Sequence, residues 1–589
     1  MIEPYESDDP HDRRYALGLT GLLGRFNAGG VLEAADVHAA RRIQALATEP
    51  DDEVALALAL AVRAVRHGSV CLDLPSLAEE PLPDGLAWPA SGWSDRVADS
   101  RIAQAGVVRV EGGVVYLDRY WREECQVRDD LVARLALPPP TVDEARLATL
   151  APVLFPSGYD EQGAAALAAA RRWTTVLTGG PGTGKTTAVA GLLALLADQS
   201  DRPLRIALSA PTGKAAARLQ EAVRTALGSA TFAGHAEAVG EPVAQTLHRL
   251  LGWRRGSRNR FRHDRRNRLP HDVIVVDETS MVSLTMMARL VEAVRTDCRL
   301  VFVGDPDQLA SVEAGAVLGD LVGAEPRVTV ATLSTNRRFP ATSGIALLAA
   351  AVQDGRGGDA LDVLRSGSPE VELVEVDDDA VPTVEALDGV HDDVVASGTA
   401  LAAAAESGDA RGALAALDAH RLLCAHRRGP RGVAHWSALA ARWVADAHPV
   451  VPREDGRYAG EPLLVTANDY EIGLYNGDTG VVVDDGHGGL VAAFGRGGAP
   501  IDVPLVRLGA VRPLHAMTVH RSQGSQFGRI TVVLPPAGSP LGTRETLYTA
   551  VTRATSHVRV IGSAEALVAA VARPAARATG LRERLTGTL

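Results

Sequence analysis

The stretch "LTGGPGTGKTT", Leu177 to Thr187, carries Gly179, Gly184, Lys185 and Thr186 at the spacing G-x-x-x-x-G-K-[ST]. Four glycines (Gly179, Gly180, Gly182, Gly184), with Pro181 and Thr183 between them, let successive backbone N–H groups turn inward around phosphate oxygens. The helix expected to begin at Lys185 adds the positive potential of its N-terminus. Lys185 is one of two lysines in a chain with 58 arginines; the other is Lys214. A compact ammonium fits between the β- and γ-phosphates of a nucleoside triphosphate, where a planar guanidinium is too wide. Thr186 offers a hydroxyl to Mg²⁺, and Thr187 continues the cradle. In a chain of this composition the pattern is expected by chance about 0.002 times.

A phosphate loop needs a carboxylate partner, and "DVIVVDETS" supplies one. Asp277 closes a hydrophobic run and suits Mg²⁺, through water; Glu278 beside it suits polarisation of an attacking water. Gln308, in "VFVGDPDQLASVEAG", is a neutral amide able to sense the γ-phosphate or its water. Gln162, in "YDEQGAAAL", lies upstream of the loop, where an amide could read the edge of adenine. Arg338 ("STNRRF") and Arg553 ("LYTAVTRA") fall far downstream. Arginines from a second domain would make hydrolysis depend on closure of an inter-domain cleft.

The elements that must position these residues are legible as short apolar strands. "WTTVLTGG", "RIALSAPTG", "DVIVVDETS" and "CRLVFVGDP" each end in a Gly, Ser, Thr or Asp turn and alternate with helical segments. That is the pattern of a parallel sheet with its chemistry at the strands' carboxyl ends. A second α/β block resumes at "RLLCAHRRG" and returns at "AMTVHRSQGSQF", "ITVVLPP" and "LYTAVTRA". Between them, about residues 451–511, runs such as "LLVTAND" and "TGVVVDD" predict a small β-barrel insertion. Residues 367–410 read as an acidic, Ala-rich helical surface. The Pro-rich "LALPPPTVDEA" marks a boundary near residue 140, after a mainly helical N-terminal domain with no chemical motif.

Composition bounds the alternatives. The 589 residues are 46% hydrophobic, 22% charged and 4% aromatic, so several folded domains with Ala-, Val- and Leu-rich cores are expected. Cys71, Cys125, Cys298 and Cys424 lack metal-ligand or redox spacing and predict reduced thiols in a cytoplasmic protein. The acidic N-terminus lacks the order of a signal peptide, and the apolar run Val54–Val62 is too short to span a membrane. A net charge of −12 weighs against a surface coated with nucleic acid but not against a narrow basic channel.

From about Tyr159 to Ala554 the blocks "DEQGAA", "LTGGPGTGKTT", "APTGKAAARLQE", "TLHRLLGW", "VVDETSM", "GDPDQLASVEAG", "LSTNRRF", "NDYEIGLYNGDTG", "AMTVHRSQGSQF" and "LYTAVTRA" occur in order. Together they resemble the superfamily 1 helicases, most closely the RecD family of exodeoxyribonuclease V (RecBCD) subunits. The resemblance implies an α/β fold with two RecA-like P-loop motor domains, 150–345 and 346–589, and an SH3-like insertion in the second. It implies an ATP- and Mg²⁺-dependent helicase moving 5′→3′ on single-stranded DNA. It assigns Gln162 to adenine, Lys185 and Thr186 to phosphate and Mg²⁺, Asp277 and Glu278 to Mg²⁺ and water, Gln308 to γ-phosphate sensing, and Arg338 and Arg553 to arginine fingers. Thr212 and Lys214, His248 and Arg249, and Thr518 and His520 fall in segments that meet DNA. Residues 1–140 resemble the domain that docks on RecC, which implies RecB and RecC as partners in double-strand break repair. In that family the nuclease belongs to RecB, and this chain has no nuclease carboxylate cluster. Two positions depart from the family pattern: Arg337 stands where an aromatic often stacks on adenine, and Gln526 where an acidic residue is usual.

One segment stands apart. "GWRRGSRNRFRHDRRNR", Gly252 to Arg268, holds eight arginines and one acid, Asp264. It reads as a hairpin insertion (about 252–270) that meets DNA phosphates, as a solvated hairpin, or as a docking patch for an acidic partner. A stand-alone helicase, or an ATP-gated scaffold that does not translocate, are the competing readings of the whole chain.

Overall fold

The computed structural model describes residues 9 and 11–587 except 255–259, 379–384, 451, 454–455, 470, 496–499 and 576. At the N-terminus, helices Gly21–Ala28, Ala34–Ala47, Asp52–Arg66 and Asp118–Leu135 surround a three-stranded antiparallel sheet. Its strands are β1 (Cys71–Asp73), β2 (Val108–Glu111) and β3 (Val114–Leu117), in the order β1-β3-β2. The apolar run Val54–Val62 is the middle of Asp52–Arg66, and residues 54–61 are all buried. A helix apolar on every side must be enclosed, and here Phe26, Val37, Trp93 and Ile102 enclose it. Asp51 accepts from the Glu53 N–H at its start, and Arg66 pairs with Asp36 at 2.8 Å near its end.

The first lobe holds β4 (Thr174–Gly179), β5 (Ile206–Ala210), β6 (Ala244–Thr246), β7 (Val273–Val276), β8 (Arg299–Gly304) and β9 (Val330–Leu333). All pair in parallel, in the order β6-β5-β7-β8-β4-β9. The pleat sends Ile274, Val276, Leu300 and Phe302 into one core layer and Val273, Val275, Val301 and Val303 into the other. That is why these strands read as unbroken apolar runs: helices cover both faces. Because every strand points the same way, the turns after Gly179, Ala210, Thr246, Val276, Gly304 and Leu333 share one edge.

The second lobe opens with β10 (Val371–Glu375) and β11 (His420–Cys424). An antiparallel sheet follows: β12 (Pro462–Val465), β13 (Thr479–Asp484), β14 (Leu490–Phe494), β15 (Ile501–Pro504) and β16 (Val511–Pro513), ordered β15-β14-β13-β12-β16. Leu463, Val482, Phe494 and Val503 form its own small core. The described pairings leave it an open sheet rather than a closed barrel. The lobe then resumes with β17 (Ala516–Thr518), β18 (Phe527–Val533) and β19 (Ala554–Gly562), giving a parallel sheet β10-β19-β18-β11-β17.

Two features differ from the sequence expectation. Residues 371–375, read as part of an acidic helical surface, form edge strand β10. Their acids lie on one strand at the rim of a sheet, where charge is tolerated. The chain also leaves the second lobe after residue 572 and returns to the N-terminal domain and the first lobe. In the N-terminal domain, the Val70 N–H donates to the Ala578 carbonyl at 2.8 Å and Glu124 pairs with Arg584 at 3.2 Å, while Arg327 Nη1 of the first lobe donates to the Leu585 carbonyl at 2.9 Å. The four cysteines are unpaired, three of them buried. Among the described residues, no helix is long and apolar enough to cross a membrane.

Candidate active site

The turn after β4 is the phosphate loop, and the helix Lys185–Asp198 starts directly behind it. Gly182 sits at φ +85°, and a Cβ there would lie 2.7 Å from the Arg338 Cβ. Only glycine meets both the backbone angle and the close approach of the inter-lobe linker. The Lys185 Nζ donates to the Gly180 carbonyl at 3.0 Å and also to the Gly179 carbonyl. Thr183 Oγ1 donates to the Gly180 carbonyl at 2.9 Å. The Gln162 amide Nε2 donates to the Thr183 carbonyl at 2.7 Å from a side chain that is 1% exposed. It therefore braces the loop from behind, while Tyr159, three residues earlier, reaches the cavity wall.

Asp277 and Glu278 follow β7. The Asp277 N–H donates to the Ser209 carbonyl at 2.8 Å, and its Oδ1 accepts from the Glu278 N–H at 2.8 Å. Desolvation pushes the Asp277 carboxyl up to about 7; the Glu278 charge adds to the rise, while Lys185 opposes it. Glu278 adopts φ +50°, a left-handed conformation that costs a β-carbon about 1–2 kcal/mol. Beyond β8, Gln308 is 5% exposed and its Nε2 donates to Asp305 Oδ2 at 2.9 Å. Its Oε1 is buried without a partner, an acceptor whose isolation costs about 1–3 kcal/mol unless a ligand or water meets it.

These groups line one cavity of about 810 Å³ between the lobes. Residues 180–187, Asp277, Glu278, Asp305 and Gln308 face Gly524, Gln526 and Arg553 of the second lobe, with Arg337 and Arg338 of the linker beside them. Arg553 is fixed by its own lobe: Nε donates to the Thr549 carbonyl at 3.0 Å, Nη1 to the Ser525 carbonyl at 3.3 Å, and Nη2 to Thr552 Oγ1 at 3.3 Å. Burial pushes Arg338 down, and the charges of Arg553 and Arg218 push it further. Mutual repulsion among cations is the field an oligo-anion relieves. Arg337 lies 3.7 Å from the centroid of the Tyr159 ring. Its guanidinium thus stacks on the side chain that a base would otherwise meet.

The lobes are held across the cleft by short polar contacts. The Leu309 N–H donates to Thr549 Oγ1 at 2.9 Å, and Gln523 Nε2 to the Leu309 carbonyl at 2.7 Å. The linker docks on the phosphate loop: the Arg337 N–H donates to the Gly182 carbonyl at 2.8 Å. Glu161 accepts from the backbone N–H groups of Ser334 and Thr335 at 3.1 and 3.0 Å, and these partners, the Ser334 hydroxyl foremost, hold its carboxyl below the usual range.

The expected DNA-contact residues fall on the same edge. Thr212 caps the helix Gly213–Leu227 by accepting from the Ala215 N–H at 3.2 Å. Lys214 follows inside the first turn, in a second cavity of about 320 Å³ lined by Arg411, Asp418, Tyr475 and Asp478. Desolvation, then the Arg218 charge, pushes Lys214 down to about 8, while Asp418 and Asp478 oppose the shift. Tyr475 of the antiparallel insertion closes on Gly213: a Cβ there would lie 2.2 Å from its ring. His248 and Arg249 are exposed just after β6, beside the strand that leads to Thr212. Thr518 ends β17 in the other lobe and His520 follows it, Thr518 7% exposed. The Arg577 Nη1 donates to the Glu313 carbonyl at 3.2 Å.

In the Arg-rich segment, Trp253 and Phe261 form an antiparallel bridge, the base of a hairpin whose residues 255–259 lie outside the described ones. Arg265 pairs with Asp130 of the N-terminal domain at 2.7 Å, so part of the positive stripe is used within the chain.

Sequence reasoning did not single out Arg218, Glu161 or Thr549. Arg218 lies one helical turn after Lys214, so the 3.6-residue period was the signal that could have found it. Thr549 lies inside the "LYTAVTRA" block and acquires its role only through the Leu309 N–H of the opposing lobe.

Family models match three stretches: the AAA domain over residues 159–369, the UvrD-like helicase C-terminal domain over 513–561, and the RecBCD enzyme subunit RecD N-terminal domain over 28–110. A phosphate loop on one parallel-sheet lobe, faced by Arg553 of a second, under these matches defines a two-lobed P-loop helicase. The chain is 51% identical to the RecBCD enzyme subunit RecD of Mycobacterium tuberculosis, covering 98% of this chain and 99% of that one. It is 53% identical to the RecBCD enzyme subunit RecD of Mycolicibacterium smegmatis, over 94% and 98%. The chain belongs to the RecD family. It is also 31% identical to the ATP-dependent RecD2 DNA helicase of Deinococcus radiodurans, over 83% of this chain and 61% of that one. Among solved structures it is similar to a Bacteroides Pif1 bound to single-stranded DNA, with a TM-score of 0.37 and 16% identity over 68% of this chain and 91% of that one.

Proposed function

We propose that this RecD-family chain is an ATP-dependent 5′→3′ DNA helicase subunit that works with RecB and RecC in double-strand break repair. The observation that carries the reading is the single cavity faced by Lys185 from one lobe and Arg553 from the other. In this reading Lys185 leaves the Gly179 and Gly180 carbonyls for the phosphates. Glu278 orients and polarises the water, Gln308 reports its position through its unpartnered oxygen, and Arg338 and Arg553 meet charge on the γ-phosphoryl oxygens.

The residues present fit a Mg²⁺ ion. Asp277 is a desolvated carboxylate whose shift the Glu278 N–H and then Lys185 oppose only in part, a second cation would relieve it, and Thr186 offers a hydroxyl on the same cavity wall. Mg²⁺ needs few protein ligands because phosphate oxygens and water complete its octahedron. Bound there, it would neutralise charge developing on the phosphates.

The proposed division is 1–140 for partner docking, 150–345 and 346–572 for the motors, with residues 577–587 packed back on the N-terminal domain and the first lobe, and an SH3-like grip on DNA at about 451–511. Closure of the cleft on nucleotide and its release after hydrolysis would move the Thr212 and Thr518 edges relative to each other, so a strand held by both advances. The test is ATPase activity with and without single-stranded DNA, alone and with RecB and RecC. DNA-stimulated turnover that Lys185→Gln abolishes supports the proposal, and turnover in that variant equal to the parent refutes it.

A further inference from the structure

The helix Gly213–Leu227 carries two of its three cations, Lys214 and Arg218, one turn apart on one face. Like charges so placed oppose each other, and a helix normally avoids them unless each has its own task. Lys214 looks into the cavity shared with Asp418, Tyr475 and Asp478, at the junction with the antiparallel insertion. Arg218 lines that cavity and the nucleotide cavity as well. Its Nη1 donates to the carbonyl of Gly524, in the second lobe. Gly524 sits at φ +69°, and a Cβ there would lie 3.8 Å from the Ala215 Cβ and 3.9 Å from Glu278 Oε1. The "SQGSQ" turn therefore lies beside the Gly213 helix and the carboxylate assigned to the attacking water, with room for one more carbon between them, and Arg218 holds it there.

We infer that Arg218 is a positioning residue for ATP hydrolysis, which fastens the Gly524 turn against Glu278 and links that contact to the DNA-side end of its own helix. This rests on the hydrolytic reading above. Thr212, at the start of the helix, lies on the expected DNA edge, and Arg218 lies one and a half turns further in. A strand that shifts the helix start would shift the Gly524 turn through Arg218. Arg218 also stands among the cations of the nucleotide cavity: burial, and then the Arg553 charge, pushes its guanidinium down, while Asp418 and Glu278 oppose this. Its bond to a carbonyl is charge-assisted and crosses the cleft, so it is strongest when the lobes are closed.

The test is steady-state ATPase of the full chain with saturating single-stranded DNA, for the parent, Arg218→Ala, Arg218→Lys and Lys185→Gln. Loss of one charge-assisted bond that orders the reacting carboxylate predicts a kcat about tenfold or more lower in Arg218→Ala, with the KM for ATP within about twofold. Arg218→Lys, which keeps a donor and a charge, should recover part of the lost kcat. A kcat in Arg218→Ala within about twofold of the parent overturns the inference. So does an equal loss of kcat, ATP affinity and thermal midpoint in both variants, because that marks a merely structural role. Should Arg218→Ala not fold, a parent-like kcat in Arg218→Lys at unchanged KM supports the inference, and a lysine variant that fails in parallel on all three readouts refutes it. A parent that hydrolyses ATP while Lys185→Gln does not keeps the hydrolytic reading whatever Arg218 does; a parent without turnover removes both.

Discussion

Arg553→Ala separates binding from chemistry more sharply than any other substitution. Arg553 is 4% exposed, and three of the five N–H donors of its guanidinium are committed to the Thr549 and Ser525 carbonyls and Thr552 Oγ1. All three partners belong to the second lobe, so the side chain is ordered before nucleotide arrives. An arginine so fixed contributes little to holding the ground state and much to charge that appears later. Arginine fingers supply about 10³–10⁵-fold in rate, or about 4–7 kcal/mol at about 1.36 kcal/mol per tenfold. Truncation also strips three acceptors of a donor on the buried residues Thr549, Ser525 and Thr552, at about 1–3 kcal/mol for each that water does not reach. The expected result is single-turnover hydrolysis at least about 10³-fold slower, with ATP affinity in a fluorescent-nucleotide titration within about fivefold of the parent. Arg553→Lys keeps the charge but loses the fork and should recover little. Turnover within about threefold of the parent, or a loss explained wholly by weaker ATP binding, would refute the reasoning.

Two further outcomes follow from local geometry. Gly182→Ala forces a β-carbon at φ +85° to within 2.7 Å of the Arg338 Cβ and 3.0 Å of Asn336 Oδ1. The linker must shift, so ATP turnover should drop by about tenfold or more while the thermal midpoint changes little; parent-like turnover would contradict this. The second concerns the returning C-terminal segment, where the Thr579 hydroxyl lies 2.8 Å from Glu124 Oε1 and 3.0 Å from Asp320 Oδ2. One hydroxyl proton cannot serve two carboxylates, and burial, against the Thr579 bond, pushes Asp320 up to about 7. The folded state thus holds a proton that the unfolded state, near the ordinary carboxyl value of 3.8, gives up. The contribution to stability is full below 3.8 and is lost as pH rises to about 7. Asp320→Asn removes that loss, so its stability should fall less than the parent's between pH 5 and 7.5, by on the order of a few kcal/mol, seen as a smaller drop in thermal midpoint. Parallel pH curves would show that Asp320 is ionised throughout.

Much of the motor was readable because its strands are buried on both faces. Such strands are continuous apolar runs ending in small or acidic turn residues, and β4, β5, β7 and β8 each appear that way. β10 was hidden because "VELVEVDDD" alternates apolar residues with acids, and an edge strand with a solvated side mimics a charged surface. The phosphate loop and Asp277 were legible because local spacing alone defines them. Arg218 was not, since its meaning lies in a carbonyl some 300 residues away. Gln162 shows the same limit: position suggested a base-reading amide, whereas the fold turns its Nε2 onto the Thr183 carbonyl. Arg337 departs from the family's aromatic residue, and the structure pairs it with Tyr159 through a cation–π contact that no linear pattern announces.

The central claim is that closure of two lobes on ATP drives this chain along single-stranded DNA from the 5′ end. The most direct measurement is strand displacement on 5′-tailed and 3′-tailed duplexes, by the chain alone and with RecB and RecC, each with the parent and with Lys185→Gln. The account predicts ATP-dependent displacement of the 5′-tailed duplex that this substitution abolishes, and no contribution of the chain to the 3′-tailed one. Displacement by the Lys185→Gln chain equal to the parent's, or a preference for the 3′ tail that depends on Lys185, would contradict it.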